Sequence, residues 1–221
     1  ATALSILDKL DAEAQDGHLR HTYDSKGFLE QADGDLLVDW AALLNGLVDA
    51  YNQTVGGEHY LERAVEVANQ MVERFGDVAR GAFYDVEAFS DAPGYMKVRE
   101  KPLPENILAV FGLLKLSQAT LNEEYLDIVG QTLSAYVEAN RGYGEFAASY
   151  ALAVSQFLSA PVEITIEGSA RDTNTMELVK AAARVSEPFV IIKPALSFEA
   201  GNHGQAHVCL NNVCLPPVHD P

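Results

Sequence analysis

The chain is poor in basic charge and sulfur, and it has no long apolar run. Fifteen Lys and Arg stand against 32 Asp and Glu in 221 residues, a net charge of −17 with the six histidines neutral. A surface that negative repels phosphate backbones and anionic headgroups, which excludes a nucleic-acid groove and a polybasic membrane patch. No stretch approaches the roughly 20 apolar residues of a membrane-spanning helix, and residues 1–15 are too polar for a secretory signal. Two cysteines do not make a disulfide scaffold, so a reducing, cytoplasmic setting is expected. What remains is a globular composition, 48% hydrophobic and 21% charged. The helical pattern starts at Ala1 without an initiator methionine, so either a trimmed product or a piece of something longer is expected.

Helical periodicity accounts for the first 160 residues, in two kinds of segment. One kind has a single apolar face. Leu61, Ala64, Val65, Ala68, Met71, Val72 and Phe75 line such a face, with Glu62, Arg63, Glu66, Asn69, Gln70, Glu73 and Arg74 between them. Tyr125 to Val137 repeats the pattern, and residues 3–14 show a weaker form of it. The other kind is apolar nearly all round: Trp40 to Tyr51, Ile107 to Leu116, and Phe146 to Leu158. Segments of that length and composition are expected to be buried on every side. The order along the chain is outer, inner, outer, inner, outer, inner.

An internal repeat underlies this order. Gly46-Leu47 matches Gly112-Leu113, Thr54 matches Thr120 and Asp39 matches Glu105, all at an offset of 66, and Tyr60-Leu61 matches Tyr125-Leu126 at 65. Hairpins of a buried and a one-faced helix repeated at this period predict an α/α toroid, with an irregular helical bundle as the alternative. The links into the inner helices, Asp16 to Leu37 and Gly76 to Leu103, are long. Long ordered loops are usually functional, so the active end is expected where the inner helices begin. After Pro161 the pattern changes. Val162 to Ile166 alternates as a strand, Asp172 to Val185 reads as a helix, Phe189 to Lys193 as a buried strand, and Ala206 to Leu210 as a further strand. The expected division is therefore 1–160, a toroid half, and 161–221, a small β-α-β appendage.

Three strings share a resemblance: Val38-Asp39-Trp40-Ala41, Arg99-x-Lys101-Pro102 followed by Asn106, and His207-Val208-Cys209-x4-Cys214-x-Pro216. Together they resemble the YyaL-like, thioredoxin-domain-containing proteins, relatives of spermatogenesis-associated protein 20. The resemblance runs through the whole chain. It implies an N-terminal thioredoxin-like domain followed by a six-hairpin toroid similar to N-acylglucosamine 2-epimerases, with this chain as the C-terminal third and its three hairpins as half of the (α/α)6 ring. The expected partners are the upstream half of the ring with its thioredoxin-like domain, or a second copy replacing it. The resemblance implies a fold and a neighbourhood but names no reaction.

The rim of the inner helices carries the first candidate site. Asp39 begins one inner helix, Glu105-Asn106 the next and Tyr143-Gly144-Glu145 the third, while the loops add His18, His21, Tyr23, Tyr84, Arg99 and Lys101. Paired carboxylates with aromatic and basic neighbours suit sugar chemistry, one acting as acid and the other as base or nucleophile. Asp39, Glu105 and His21 are the catalytic candidates. Trp40, Arg99, Lys101, Asn106, Tyr84 and Glu145 are the binding candidates, for a sugar or polyol. If catalytic, the chain is expected to be a carbohydrate isomerase, epimerase or glycoside hydrolase; the alternative is a non-catalytic docking module. Carboxylates at helix starts are also ordinary caps, and Arg99-Glu100-Lys101 reads either as an anion site or as a salt bridge to Glu105 or Asp39.

The second candidate is the tail, His203-x3-His207-x-Cys209-x4-Cys214-x4-His219. Its residue types suit zinc, but its spacing does not match a Cys-x2-Cys knuckle, so zinc is not expected, nor any other cofactor. A disulfide or redox pair at Cys209 and Cys214 is the second possibility, and buried, inert thiols the favoured one. Gly168-Ser169 ahead of Asp172 reads as a strand–turn–cap and not a phosphate loop.

Overall fold

The computed structural model describes residues 3–15, 17–19, 21, 23–24, 27–28, 35–54, 56–88, 97–186, 189–197, 204–210 and 213–221. The described chain is mainly α-helical with one small mixed sheet. It divides into two units, Ala1–Val48 with Tyr60–Val154, and Asp49–His59 with Ser155–Pro221.

The first unit begins with α1 (Ala3–Gln15) and a two-residue hairpin, β1 (Tyr23–Asp24) with β2 (Gly27–Phe28). Two helical hairpins follow: α2 (Leu37–Gln53) with α3 (Glu58–Phe75), and α4 (Leu103–Thr120) with α5 (Glu124–Ala135). Burial separates their members as expected. In α3 the buried residues are Tyr60, Ala64, Val67, Ala68, Met71 and Phe75, a single stripe at helical spacing. In α4 they include Leu103, Ile107, Ala109, Val110, Leu113, Leu114 and Leu116, a stripe wider than that of α3, with Leu108, Phe111 and Lys115 half-buried on the opposite side. Trp40, Leu44 and Leu47 of α2 are likewise inaccessible. A fully buried Leu contributes about 1.5–3 kcal/mol over an exposed one, so α2 and α4 carry the core. Through α5 the buried and one-faced helices alternate in the order expected of α/α toroid hairpins.

The repeated glycines have a steric reason. A Cβ on Gly112 would stand 2.9 Å from Leu44 Cγ and 3.0 Å from Asn45 Nδ2, and one on Gly46 would stand 3.0 Å from Leu7 Cδ1. Each inner helix thus approaches a preceding helix through a missing side chain. Asn45 fastens the α2–α4 approach by donating from Nδ2 to the Leu108 carbonyl at 2.9 Å. The turn between α4 and α5 is short, with Leu121 in the left-handed region at φ 57°.

The last inner helix departs from expectation. Two 3₁₀ turns, Ala139–Gly142 and Gly144–Ala147, lead into α6 (Ala148–Leu158). Its composition predicts burial all round, yet Ala153 is its one buried residue among those described. Ala148, Ala151, Leu152, Ser155 and Leu158 are exposed, which is one face of the helix. Nothing among the described residues packs over that face, so composition and burial disagree there. No helix among the described residues is long and apolar enough to cross a membrane.

The sheet belongs to the second unit. Its strands are β3 (Val162–Ser169), β4 (Val190–Ser197), β5 (Gln205–Leu210) and β6 (Val213–Cys214), in the order β4-β3-β5-β6. β3 and β4 are parallel across α7 (Thr173–Ala182), the expected β-α-β unit, and β5 joins β3 antiparallel. Ile164, Ile166, Leu178, Ala182 and Ala206 form the core beneath α7. Asp172 caps α7, accepting from Thr175 N and Oγ1, both at 2.8 Å.

Candidate functional site

Backbone pairing through one loop segment brings the starts of α2 and α4 to a common rim. Asn106, fully buried, accepts from Phe83 N at 2.7 Å and donates back to the Phe83 carbonyl at 2.9 Å and to the Pro102 carbonyl at 3.0 Å. Two residues on, the Asp85 carbonyl accepts from Leu37 N at 2.9 Å, and Leu36 bridges to Val86. Residues 83–86 therefore tie the first turn of α4 to the first turn of α2. Asp39 and Glu105 each stand third in their helices, as the repeat predicts.

His21 joins them from the loop after α1. Its Nδ1 donates to Asp39 at 2.9 Å (Oδ1) and 3.1 Å (Oδ2). The His21 side chain is half exposed and that of Asp39 largely covered. Two influences compete at Asp39. The α2 N-terminus and the His21 bond favour the charged carboxylate, while burial disfavours it, helped by the nearby charge of Asp35. Burial wins, and the Asp39 carboxyl is pushed above its ordinary value. Glu105 is raised as well, by burial first and then by the charges of Asp85 and Asp39, against the influence of His21. Two carboxyls held toward their protonated forms, one paired with an imidazole, can supply general acid and base at one place. Tyr136 stands close by: its hydroxyl donates to the Lys101 carbonyl at 2.9 Å, and burial with Tyr143 and Glu105 nearby raises it.

The binding candidates fare differently. Trp40 is inaccessible, its indole Nε1 donating to Asp35 at 3.0 Å and its ring beneath the Arg74 guanidinium at 4.7 Å. It is a core residue and not a sugar platform. Asn106 is likewise spent on the Phe83 and Pro102 backbone. Lys101 pairs with neither Glu105 nor Asp39: its Nζ lies 2.8 Å from Asp77 Oδ2 and 2.6 Å from the Gly81 carbonyl. Arg99 donates to the Val86 carbonyl at 2.8 Å and the Arg74 carbonyl at 3.2 Å, and covers the Tyr84 ring at 4.0 Å. Tyr84 donates to Asp77 at 2.9 Å. The basic segment is thus a latch on Asp77 and two loop carbonyls, because the loop folds back over it. Lys101 foremost, then Tyr84, holds the Asp77 carboxyl well below the ordinary range. Glu145 is exposed, in the second 3₁₀ turn before α6.

Sequence patterns did not reveal Asp35, Arg74, Asp85 and Tyr136. Asp35 is almost wholly buried and accepts from Trp40, from Arg74 Nη1 at 2.8 Å and from Leu19 N at 3.4 Å, with His18 Nδ1 3.4 Å away. The placement of Asp35 just ahead of the apolar Leu36-Leu37 was the available signal. Of the loop candidates, Tyr23 lies in β1 and His18 is largely exposed. Two clefts lie elsewhere, one of about 530 Å³ beside Glu73, Arg74 and Glu87, and one of about 220 Å³ beside Gly81, Phe83 and Thr132. Asp39 and Glu105 line neither.

The tail corrects the favoured expectation of inert thiols: Cys209 and Cys214 form a disulfide. The register of β5 and β6 sets them directly opposite one another, within bonding reach. His207 Nε2 lies 3.8 Å from Glu167, and the His219 carbonyl accepts from Asn174 at 2.8 Å. His203 is outside the described residues. Among the described residues no three His, Cys, Asp or Glu converge as metal ligands would.

No family model matches the chain, and no curated protein matches it. Among solved structures it is similar to the selenomethionine derivative of a GH76 α-mannanase from Bacteroides thetaiotaomicron, at 18% identity and a TM-score of 0.49. The match covers 77% of this chain and 46% of that one, so the chain spans about half the length of that enzyme. A likeness at this level says nothing of what this chain binds.

Proposed function

We propose that the rim formed by His21, Asp39 and Glu105 binds a neutral polyhydroxylated ligand, a carbohydrate or polyol, and acts on it by proton transfer. The observation that carries the proposal is the pair of carboxyls raised by burial at the ends of two neighbouring helices, one of them bonded to an imidazole. Carboxyl and imidazole groups bond hydroxyls as both donors and acceptors, and among the described residues Arg74, Arg99 and Lys101 are engaged by other partners, which favours a neutral ligand over an anionic one. In this reading Glu105 presents a proton, and the His21–Asp39 pair accepts one. The same chemistry fits an isomerase, an epimerase or a glycoside hydrolase of a YyaL-like protein, the family whose motifs the chain resembles.

The test is calorimetric titration of neutral sugars and polyols, with an assay for aldose–ketose and 2-epimer exchange. Asp39→Asn and Glu105→Gln are each expected to weaken binding at least tenfold while leaving the circular dichroism unchanged, and His21→Ala to lower exchange. Binding by both carboxylate variants equal to that of the wild type would remove the rim from consideration.

The exposed apolar face of α6 favours a second reading, in which the chain is a docking module whose helical series continues in another copy of itself. Light scattering after size exclusion tests it: a dimer disrupted by Leu152→Glu supports docking, and a dilute monomer counts against it.

A further inference from the structure

The cysteine pair lies outside the acidic rim, and its chemistry is independent of the reading above. β6 is the edge of the sheet, and the disulfide pins it to β5. Beyond the bond the chain continues along the same edge. Leu215 N donates to the Val208 carbonyl at 2.9 Å, and Ala206 and Val218 exchange two bonds at 2.8 and 2.9 Å. Pro216 and Pro217 lie between and have no N–H to give, so the ladder is broken there. The last anchor is the bond from Asn174 to the His219 carbonyl. All residues from Val213 to Pro221 are exposed, so this strap buries little apolar surface and depends on a few hydrogen bonds and one covalent clip.

The clip itself is accessible. On β5, Ala206 and Val208 point into the apolar layer under α7, so His207 and Cys209 point to the opposite, polar face. Cys209 stands opposite Glu163 of β3, on that same face. Cys214 is exposed and Cys209 half-buried. A thiol can therefore reach the bond without opening the core.

We propose that Cys209–Cys214 is a thiol–disulfide exchange site for a dithiol reductant, and that its reduction frees the strap, residues 215–221, from the edge of β5. The incoming thiolate attacks Sγ of Cys214, the more exposed of the two residues. The S–S bond breaks, and Cys209 leaves as a thiolate that takes up a proton. The second thiol of the reductant, as its thiolate, then attacks the reductant's own sulfur in the mixed disulfide and expels Cys214, which is protonated in turn. The dithiol loses two electrons and two protons, the protein gains both as two thiols, and a disulfide oxidant reverses the exchange.

The intact protein is titrated with mixtures of reduced and oxidised dithiothreitol without denaturant, and thiols are counted by alkylation and mass spectrometry. Both thiols are expected to appear together and reversibly. In the reduced protein, hydrogen exchange at the Ala206, Leu215 and Val218 amides is expected to quicken at least tenfold, with the Ile164 and Ile166 amides of β3 unchanged. Brief treatment with glutathione followed by alkylation is expected to leave glutathione on Cys214 and the alkyl group on Cys209. The Cys209→Ser/Cys214→Ser double variant is expected to show the fast amides under every redox condition. A bond that opens only in denaturant, unchanged strap amides after reduction, or loss of protection across β3 would each overturn the proposal.

Discussion

Two acidic clusters flank the same loop and are built on opposite lines. Asp77 accepts from the Lys101 ammonium, the Tyr84 hydroxyl and the Ala79 and Arg80 amides, and its carboxyl is held far toward the charged form. Asp35 is comparably equipped, with Arg74, Trp40 and Leu19 as donors. A few residues away at the helix starts, Asp39 has an imidazole and Glu105 no hydrogen-bond donor among the described residues, only the more distant influence of His21, and both carboxyls are pushed toward the neutral form. Satisfied carboxylates hold loops to helices; under-served ones are left with chemistry to offer. That contrast separates the latch from the candidate site more firmly than residue type does, since both clusters contain Asp beside aromatic and basic side chains.

The contrast breaks first, and with the largest effect, at Asp35. Asp35→Ala removes a buried carboxylate and leaves the Arg74 guanidinium and Trp40 indole without their acceptor. The expected loss is about 3–5 kcal/mol in urea unfolding. A loss below 1 kcal/mol would mean that the pair is too well solvated to act as a latch.

Asp77 provides the pH test of the same idea. Its folded value is depressed, so its contribution to stability is present above the ordinary Asp value and disappears as pH falls through the folded value. Asp77→Asn is expected to lower the melting temperature at neutral pH. It is also expected to flatten the acid limb of the melting profile, so that variant and wild type converge in strong acid. Parallel profiles would assign the latch to Lys101 and the Gly81 carbonyl instead.

A smaller effect of opposite sign is expected at Thr132, whose hydroxyl is buried with no hydrogen-bond partner among the described residues. Thr132→Val keeps the shape and removes an uncompensated polar atom, so stability is expected to rise by about 1 kcal/mol. A fall on chemical denaturation would show that the hydroxyl has found a partner, such as water.

What could be read from the sequence follows from the range of each interaction. The outer–inner helix order, the β-α-β unit and the equivalence of Asp39 with Glu105 rest on periodicities within one element or one repeat, which the chain carries locally. Gly46 and Gly112 are legible for the same reason. The partners of Arg99 and Lys101 are not, because a folded-back loop decides them, and Asp77 and Gly81 lie some 20 residues upstream. Trp40 and Asn106 carry motif positions yet are buried for packing, since residue type alone does not distinguish a core indole from a ligand platform. α6 misleads through composition: an apolar helix predicts burial only if something covers it. The disulfide was within reach, for Asn211-Asn212 between Leu210 and Val213 is a turn signal that would have set the two cysteines opposite each other.

The smallest effect, and the sharpest test of the rim, is Glu105→Gln. Glu105 is raised in the folded chain, so its protonated form favours folding: the contribution is full below the ordinary Glu value and is lost as pH rises through the folded value. Once ionised, the wild-type carboxylate is a partly buried charge facing Asp85 and Asp39, and glutamine keeps the shape without that charge. The variant is therefore expected to melt slightly above the wild type at neutral pH, with the gap closing in acid as the wild-type carboxyl takes up its proton. It is also expected to fail in ligand binding. Greater stability combined with lost binding is the signature of a group held in an unfavourable state for function. A variant that is less stable at neutral pH would instead make Glu105 a structural cap and move it to the side of Asp35 and Asp77.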